Sequence, residues 1–124
     1  MIFGIGIDGI EVARVEKQIR SENGLVEQLF TTGEIEYCES KRYSAQNYAA
    51  RFAAKEAFMK AIGTGGQDAP AFREIEIVND KRGRPALVLH GRAEELVKLN
   101  KITNIQVSLS HIKDFAGAIV VLEK

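Results

Sequence analysis

Apolar and polar positions alternate from the start of the chain. Phe3, Ile5 and Ile7 fall on one side and Gly4, Gly6 and Asp8 on the other, the two-residue period of a β-strand over residues 2–8. The period then lengthens. In "EVARVEKQIRSE", Val12, Val15 and Ile19 form a stripe at helical spacing with Arg14, Lys17 and Gln18 outside it. Asn23-Gly24 breaks this helix, and "NGLVEQLF" gives a short apolar one. Thr32 is the predicted N-cap of "GEIEYCES", with Glu36 nearby. A long helix is predicted from about Ser44 to Ile62, closed by the glycines of "GTGG". "QDAPAF" reads as a loop. "REIEIVND" and "ALVLH" flank the turn "KRGRP" and predict a hairpin. "GRAEELVKLN" is a surface helix with Ala93, Leu96, Val97 and Asn100 on one side. "IQVSLSH" and "FAGAIVVLE" are the last two strands, joined through Ile112, Lys113 and Asp114. A strand, a helical block and four strands with one inserted helix make an α+β fold, with a mainly antiparallel sheet packed against the long central helix. No repeat or linker divides it, so residues 1–124 are expected to form one domain.

The long helix raises the first chemical question. At about 100° per residue, Tyr48, Met59, Ala45 and Glu56 cluster around Phe52, while Ala50, Ala54, Ala57 and Ala61 gather opposite. The helix is therefore covered on two sides, and Glu56 lies near a covered seam. One reading makes Glu56 half of a surface pair with Lys60, four residues on. The other gives a covered carboxylate a cation or a metal as partner, because unpaired burial is too costly. Arg51 and Lys55 are also four apart and repel each other, which an anion such as phosphate would relieve.

Asp8 has two readings as well. It is an N-cap for the helix that follows, or it joins Glu56 in holding one hard cation. Mg²⁺ takes one or two protein carboxylates and completes its shell with water and substrate phosphate. Acids and bases together suit phosphoryl chemistry. His111, at a strand end, reads on its own as a structural histidine, His90 as a surface residue, and the glycines after the long helix as caps.

Composition narrows the field. Lys+Arg and Asp+Glu both number 17, so no basic excess marks a general nucleic-acid or membrane binder. The single cysteine, Cys38, forms no internal disulfide and reads as a half-buried small residue. No apolar run reaches membrane-spanning length, and "MIFGIGIDGIE" lacks a basic leader segment, so a cytoplasmic location is expected.

Three stretches then carry a signature. "GIGIDGIEVARV", "RFAAKEAFMKAIGTG" and "VSLSH" followed by "DFAGAIVVLE" occur in the order and spread of the holo-[acyl-carrier-protein] synthases, the short 4'-phosphopantetheinyl transferases, which the chain resembles end to end. The resemblance implies Mg²⁺-dependent transfer of the phosphopantetheine arm of coenzyme A to a serine of apo acyl carrier protein, releasing adenosine 3',5'-bisphosphate, in the setting of fatty acid biosynthesis. By motif position it implies Asp8 and Glu56 as metal ligands and Lys60 at the pyrophosphate, these three being the catalytic group. It places Lys55 near phosphate, Arg51 and His111 in the coenzyme A pocket, and Gly63, Thr64 and Gly65 in the loop beside it. Arg14 is implied to dock the acidic recognition helix of the carrier. The serine proton goes to Glu56 or a metal-bound water. A homotrimer with sites between subunits is implied too. Gly9 departs from the bulky aliphatic residue common in the family, and residues 20–45 match no motif. Two other functions use the same residues: Mg²⁺-dependent hydrolysis of a phosphate ester on a coenzyme A-like nucleotide, and a non-catalytic oligomeric binding module with Asp8 as a cap and Glu56–Lys60 as a structural pair.

Overall fold

The computed structural model describes residues 1–21, 23–63 and 66–124. The elements run β1 (Ile2–Glu11), α1 (Val12–Arg20), α2 (Leu25–Leu29), α3 (Thr32–Glu39), α4 (Ser44–Ile62), β2 (Ile75–Asn79), β3 (Pro85–Leu89), α5 (Gly91–Leu99), β4 (Asn104–His111) and β5 (Phe115–Glu123). Single turns of 3₁₀ helix at Gly66–Asp68 and Phe72–Glu74 shape the stretch read as a loop. The architecture is the expected α+β, with a refinement. β1, β5 and β4 form an antiparallel sheet in that order, whereas β2 and β3 stand apart as a two-stranded sheet.

α4 is the axis of the molecule. Its alanines Ala53, Ala54, Ala57 and Ala61 are buried, and Gly63 closes it in the left-handed conformation, φ 74°. The alanine face meets β1 where β1 has no side chains: a Cβ at Gly4 would overlap the carbonyl oxygen of Ala61, and one at Gly6 that of Ala57. Backbone thus packs on backbone. Gly6→Ala is expected to destabilise the protein by about 3 kcal/mol, because neither main chain yields without disturbing its own hydrogen bonds; urea unfolding measures it.

The other face of the sheet is bare. Ile5 and Ile7 on β1 and Phe115 and Ile119 on β5 are exposed, while Ala116, Ala118, Val120 and Leu122 turn inward. On the far side of α4, a second apolar cluster joins Val12, Val15, Phe30, Cys38 and Tyr48.

Three local readings change. β1 continues through Asp8 to Glu11, so Asp8 is no helix cap; Glu11 precedes α1 and makes no side-chain cap bond. The cap of α3 is Thr31, not Thr32. Its hydroxyl accepts from Glu34 N, and Glu34 Oε1 accepts from Thr31 N, 3.0 Å, a reciprocal box that Glu36 does not offer. Gly9 leaves the strand regular: it pairs with Gly117, and the Phe115 ring lies over it in the space a larger residue would fill.

Cys38 is fully buried rather than half-buried. Burial pushes its thiol from 9.0 up to about 12, against a smaller opposing pull from Arg51. In the unfolded chain the thiol ionises first, so stability falls as pH rises from the unfolded value toward the folded one. Between pH 9 and 11, the unfolding free energy from urea titrations should fall more steeply for the wild type than for Cys38→Ala, by up to about 1.4 kcal/mol per pH unit.

Candidate functional site

β1 and α4 bring the two acids to one place. Asp8 and Glu56 line the same cavity, of about 730 Å³, whose walls include Arg14, Lys17, Phe30 and Phe52 from α1, α4 and the segment after α2. Partial burial raises the Glu56 pKa, the nearby Asp8 raises it further, and Lys60 opposes both. Lys60 reaches across to β1. Its Nζ donates to Asp8 Oδ1 at 3.0 Å and to the Ile7 carbonyl at 3.0 Å. The ion pair of Lys60 is therefore with Asp8 rather than with Glu56.

These groups fit a hard divalent ion. Both donors are carboxylate oxygens, they repel each other across a shared cavity wall, and the desolvated Glu56 favours a cation nearby. Among the described residues no cluster of three or more His, Cys, Asp or Glu side chains forms a closed metal cage. Two carboxylates leaving most of the shell to water and phosphate is the Mg²⁺ pattern, unlike that of structural zinc.

Arg51 and His111 lie elsewhere. They line a second cavity, of about 560 Å³, between α4, the β2–β3 hairpin and β4, together with Asn47, Arg84, Gln106 and Ser108. Arg51 is almost wholly buried. Its Nη2 donates to Asn79 Oδ1 at 2.7 Å, and its guanidinium lies 4.0 Å from the centroid of the Tyr37 ring. Among the described residues its buried Nε has no partner. His111 Nδ1 sits 2.9 Å from Gln46 Oε1 on α4. Arg84 and Asn79 escaped the sequence reading. The signal available was the basic hairpin tip, Lys81, Arg82 and Arg84, which Asp80 folds by accepting from Arg82 N and Arg84 N.

Lys55 is not where a phosphate could reach it. It is fully buried, and its ammonium donates to Glu34 Oε1 at 2.7 Å, Phe72 O at 2.9 Å and Ile75 O at 2.6 Å. All three donors are taken. The anion that offsets its repulsion with Arg51 is the Glu34 carboxylate, not a phosphate. Burial lowers the Lys55 pKa and Glu34 raises it back. Gly63 caps α4 as expected, while Thr64 and Gly65 lie outside the described residues. His90 is a surface residue, with Nε2 2.9 Å from Glu76 Oε1.

An α+β domain with two acids at one cavity, a lysine bonded to one of them and a buried arginine at another suits an enzyme acting on a phosphate-bearing substrate. Residues 4–120 match the model of the 4'-phosphopantetheinyl transferase superfamily. The chain is 50% identical to the holo-[acyl-carrier-protein] synthase of Geobacter sp. (strain M21), with both chains covered in full. The crystal structure of the corresponding synthase from Neisseria meningitidis superposes with a TM-score of 0.90 at 32% identity over 100% of both chains. The Helicobacter pylori synthase in complex with coenzyme A gives a TM-score of 0.83 at 31% identity, covering 96% of this chain and 99% of that one. The chain belongs to the 4'-phosphopantetheinyl transferase superfamily.

Proposed function

We infer that this chain is a holo-[acyl-carrier-protein] synthase, moving 4'-phosphopantetheine from coenzyme A to a serine of apo acyl carrier protein. The observation that carries the reading is full-length identity of 50% to a protein of that name, on a fold shared with a coenzyme A-bound synthase. In the reaction, the serine oxygen forms a bond to the pantetheine-side phosphorus. The bond from that phosphorus to the bridging oxygen breaks, adenosine 3',5'-bisphosphate leaves, and the serine proton passes to a base.

We assign the parts as follows. Asp8 and Glu56 hold Mg²⁺, which when bound neutralises charge on the pyrophosphate. Lys60, half-exposed and paired with Asp8, turns its ammonium to the pyrophosphate oxygens and steadies the leaving group. Glu56 or a water on the metal would accept the serine proton. Arg51, His111 and Arg84 hold the nucleotide end of coenzyme A in the second cavity. Arg14 and Lys17, at the rim of the first, draw in an acidic helix of the carrier.

Within one protomer these two groups sit on separate cavities. The bare sheet face of Ile5, Ile7, Phe115 and Ile119 adjoins both: Gly9 of the first cavity lies under Phe115, and Ile119 lines the second. A homotrimer burying this face would bring the acids of one subunit to the arginine cavity of the next, and it covers an apolar patch that a monomer would expose. Among the described residues no helix is long and apolar enough to cross a membrane; we place the enzyme in the cytoplasm.

Mass spectrometry of an apo carrier after incubation with the protein, coenzyme A and Mg²⁺ tests the function: the carrier gains one phosphopantetheine. Nucleotide release without carrier would point to the hydrolase instead. The binding-module reading loses its supports, because Asp8 caps no helix and Lys60 does not pair with Glu56.

A further inference from the structure

We propose that Lys60 is the resident counter-cation of the acidic pair, which keeps the site weakly receptive to free metal until a phosphate-bearing co-substrate draws the ammonium away. The inference rests on the assignment of Asp8 and Glu56 as metal ligands. Its ground is the direction Lys60 takes. On a helix, Glu56 and Lys60 stand in the favourable order for an ion pair four residues apart. The lysine nevertheless crosses to β1, where Asp8 Oδ1 and the Ile7 carbonyl accept two of its three protons. One of the two Asp8 carboxylate oxygens, Oδ1, is thereby already engaged by a cation. The Asp8 side chain is 18% exposed and that of Lys60 55%, so the acid is held against the fold while the lysine has solvent around it.

The exchange follows from elementary electrostatics. A divalent ion arriving alone must share Asp8 with an ammonium whose like charge opposes it, or push that ammonium aside to the Ile7 carbonyl and water. A pyrophosphate arriving with the ion changes both sides of the balance: it gives the metal further oxygen ligands, and it gives Lys60 an anionic acceptor one side-chain swing from Asp8. Metal and co-substrate therefore strengthen each other's binding, and linkage makes the effect reciprocal. The exposed pair is weak enough to exchange readily.

Mn²⁺ titration of the full-length protein, with free Mn²⁺ read by electron paramagnetic resonance, tests this without turnover. It is done with no co-substrate and with coenzyme A in the absence of carrier. Lys60→Met should bind Mn²⁺ alone about tenfold more tightly than the wild type, and coenzyme A should enhance Mn²⁺ binding less in the variant. Asp8→Asn should lose Mn²⁺ binding and leave the free Mn²⁺ signal at full height, which ties the binding to this site. Equal or weaker Mn²⁺ binding by Lys60→Met, or an undiminished enhancement by coenzyme A, overturns the proposal, as does an Asp8→Asn protein that binds like the wild type. The transfer assay on the wild type is run beside it: failure there sinks the assignment of function, while failure in the Mn²⁺ arms with transfer intact sinks only the role of Lys60.

Discussion

Glu56→Gln should abolish phosphopantetheine transfer, lowering the rate by about 10³-fold or more, while the protein melts as the wild type does. The substitution keeps the size of the side chain and exchanges a carboxylate oxygen for an amide. An amide is a poor ligand for a hard cation and no base at all, so the metal loses one of its two protein ligands, and the serine proton loses either Glu56 or a water that the metal holds. Stability is spared because, among the described residues, Glu56 makes no side-chain hydrogen bond, and the amide relieves the repulsion from Asp8. Steady-state transfer measured at several Mg²⁺ concentrations, together with a thermal melt, checks both halves. Wild-type turnover by the variant would remove Glu56 from the site.

Lys55→Met should do the reverse, lowering stability by about 3–5 kcal/mol. The position is one residue from Glu56, yet its side chain enters the interior on the other side of α4. There it holds Glu34, Phe72 and Ile75 together. Glu34 in turn accepts from Thr31 N and Ile77 N, so this one pair joins the start of α3, the strand β2 and the middle of α4. Removing the lysine leaves a fully buried carboxylate without its cation and strips two carbonyls of a donor. Glu34→Gln combined with Lys55→Met should recover much of the loss, since the stranded charge is then gone. Urea denaturation of the two single variants and the double variant measures this. A loss under about 1 kcal/mol for the single lysine change would show that the pair contributes no more than an exposed one does.

The contrast between these neighbours marks the limit of what the chain discloses on its own. Periodicity placed Glu56 on a covered seam, and the bounds of α4 were legible because Gly63 punctuates it and its alanines repeat at helical spacing. Lys55 was misread because its partner lies 21 residues earlier, in a segment without a motif; spacing along one helix shows like charges repelling, not the distant acid that separates them. The cap of α3 fell one residue off for a related reason. Thr31 and Thr32 both qualify by composition, and the reach of the Glu34 side chain decides. Alternation told which residues of β1 share a side but not which side meets the core. The usual inference puts isoleucines inward, and here the glycines face in because a helix of small residues comes close enough to touch them. The residues assigned to one reaction also proved to line two cavities of the protomer, a partition that no linear motif expresses.

The glycines of β1 have one more effect. With main chain resting against main chain at Gly4 and Gly6, the interval from Asp8 to Glu56 is ruled by covalent geometry rather than by the bulk of intervening side chains. Remote repacking can swell or thin the interior without retuning that gap. Adding or deleting a single residue between Gly6 and Asp8 would turn the aspartate to the opposite surface of the sheet; doing so between Ala57 and Lys60 would swing the lysine by about 100°. Register along both elements therefore sets the site alongside the chemistry of its residues.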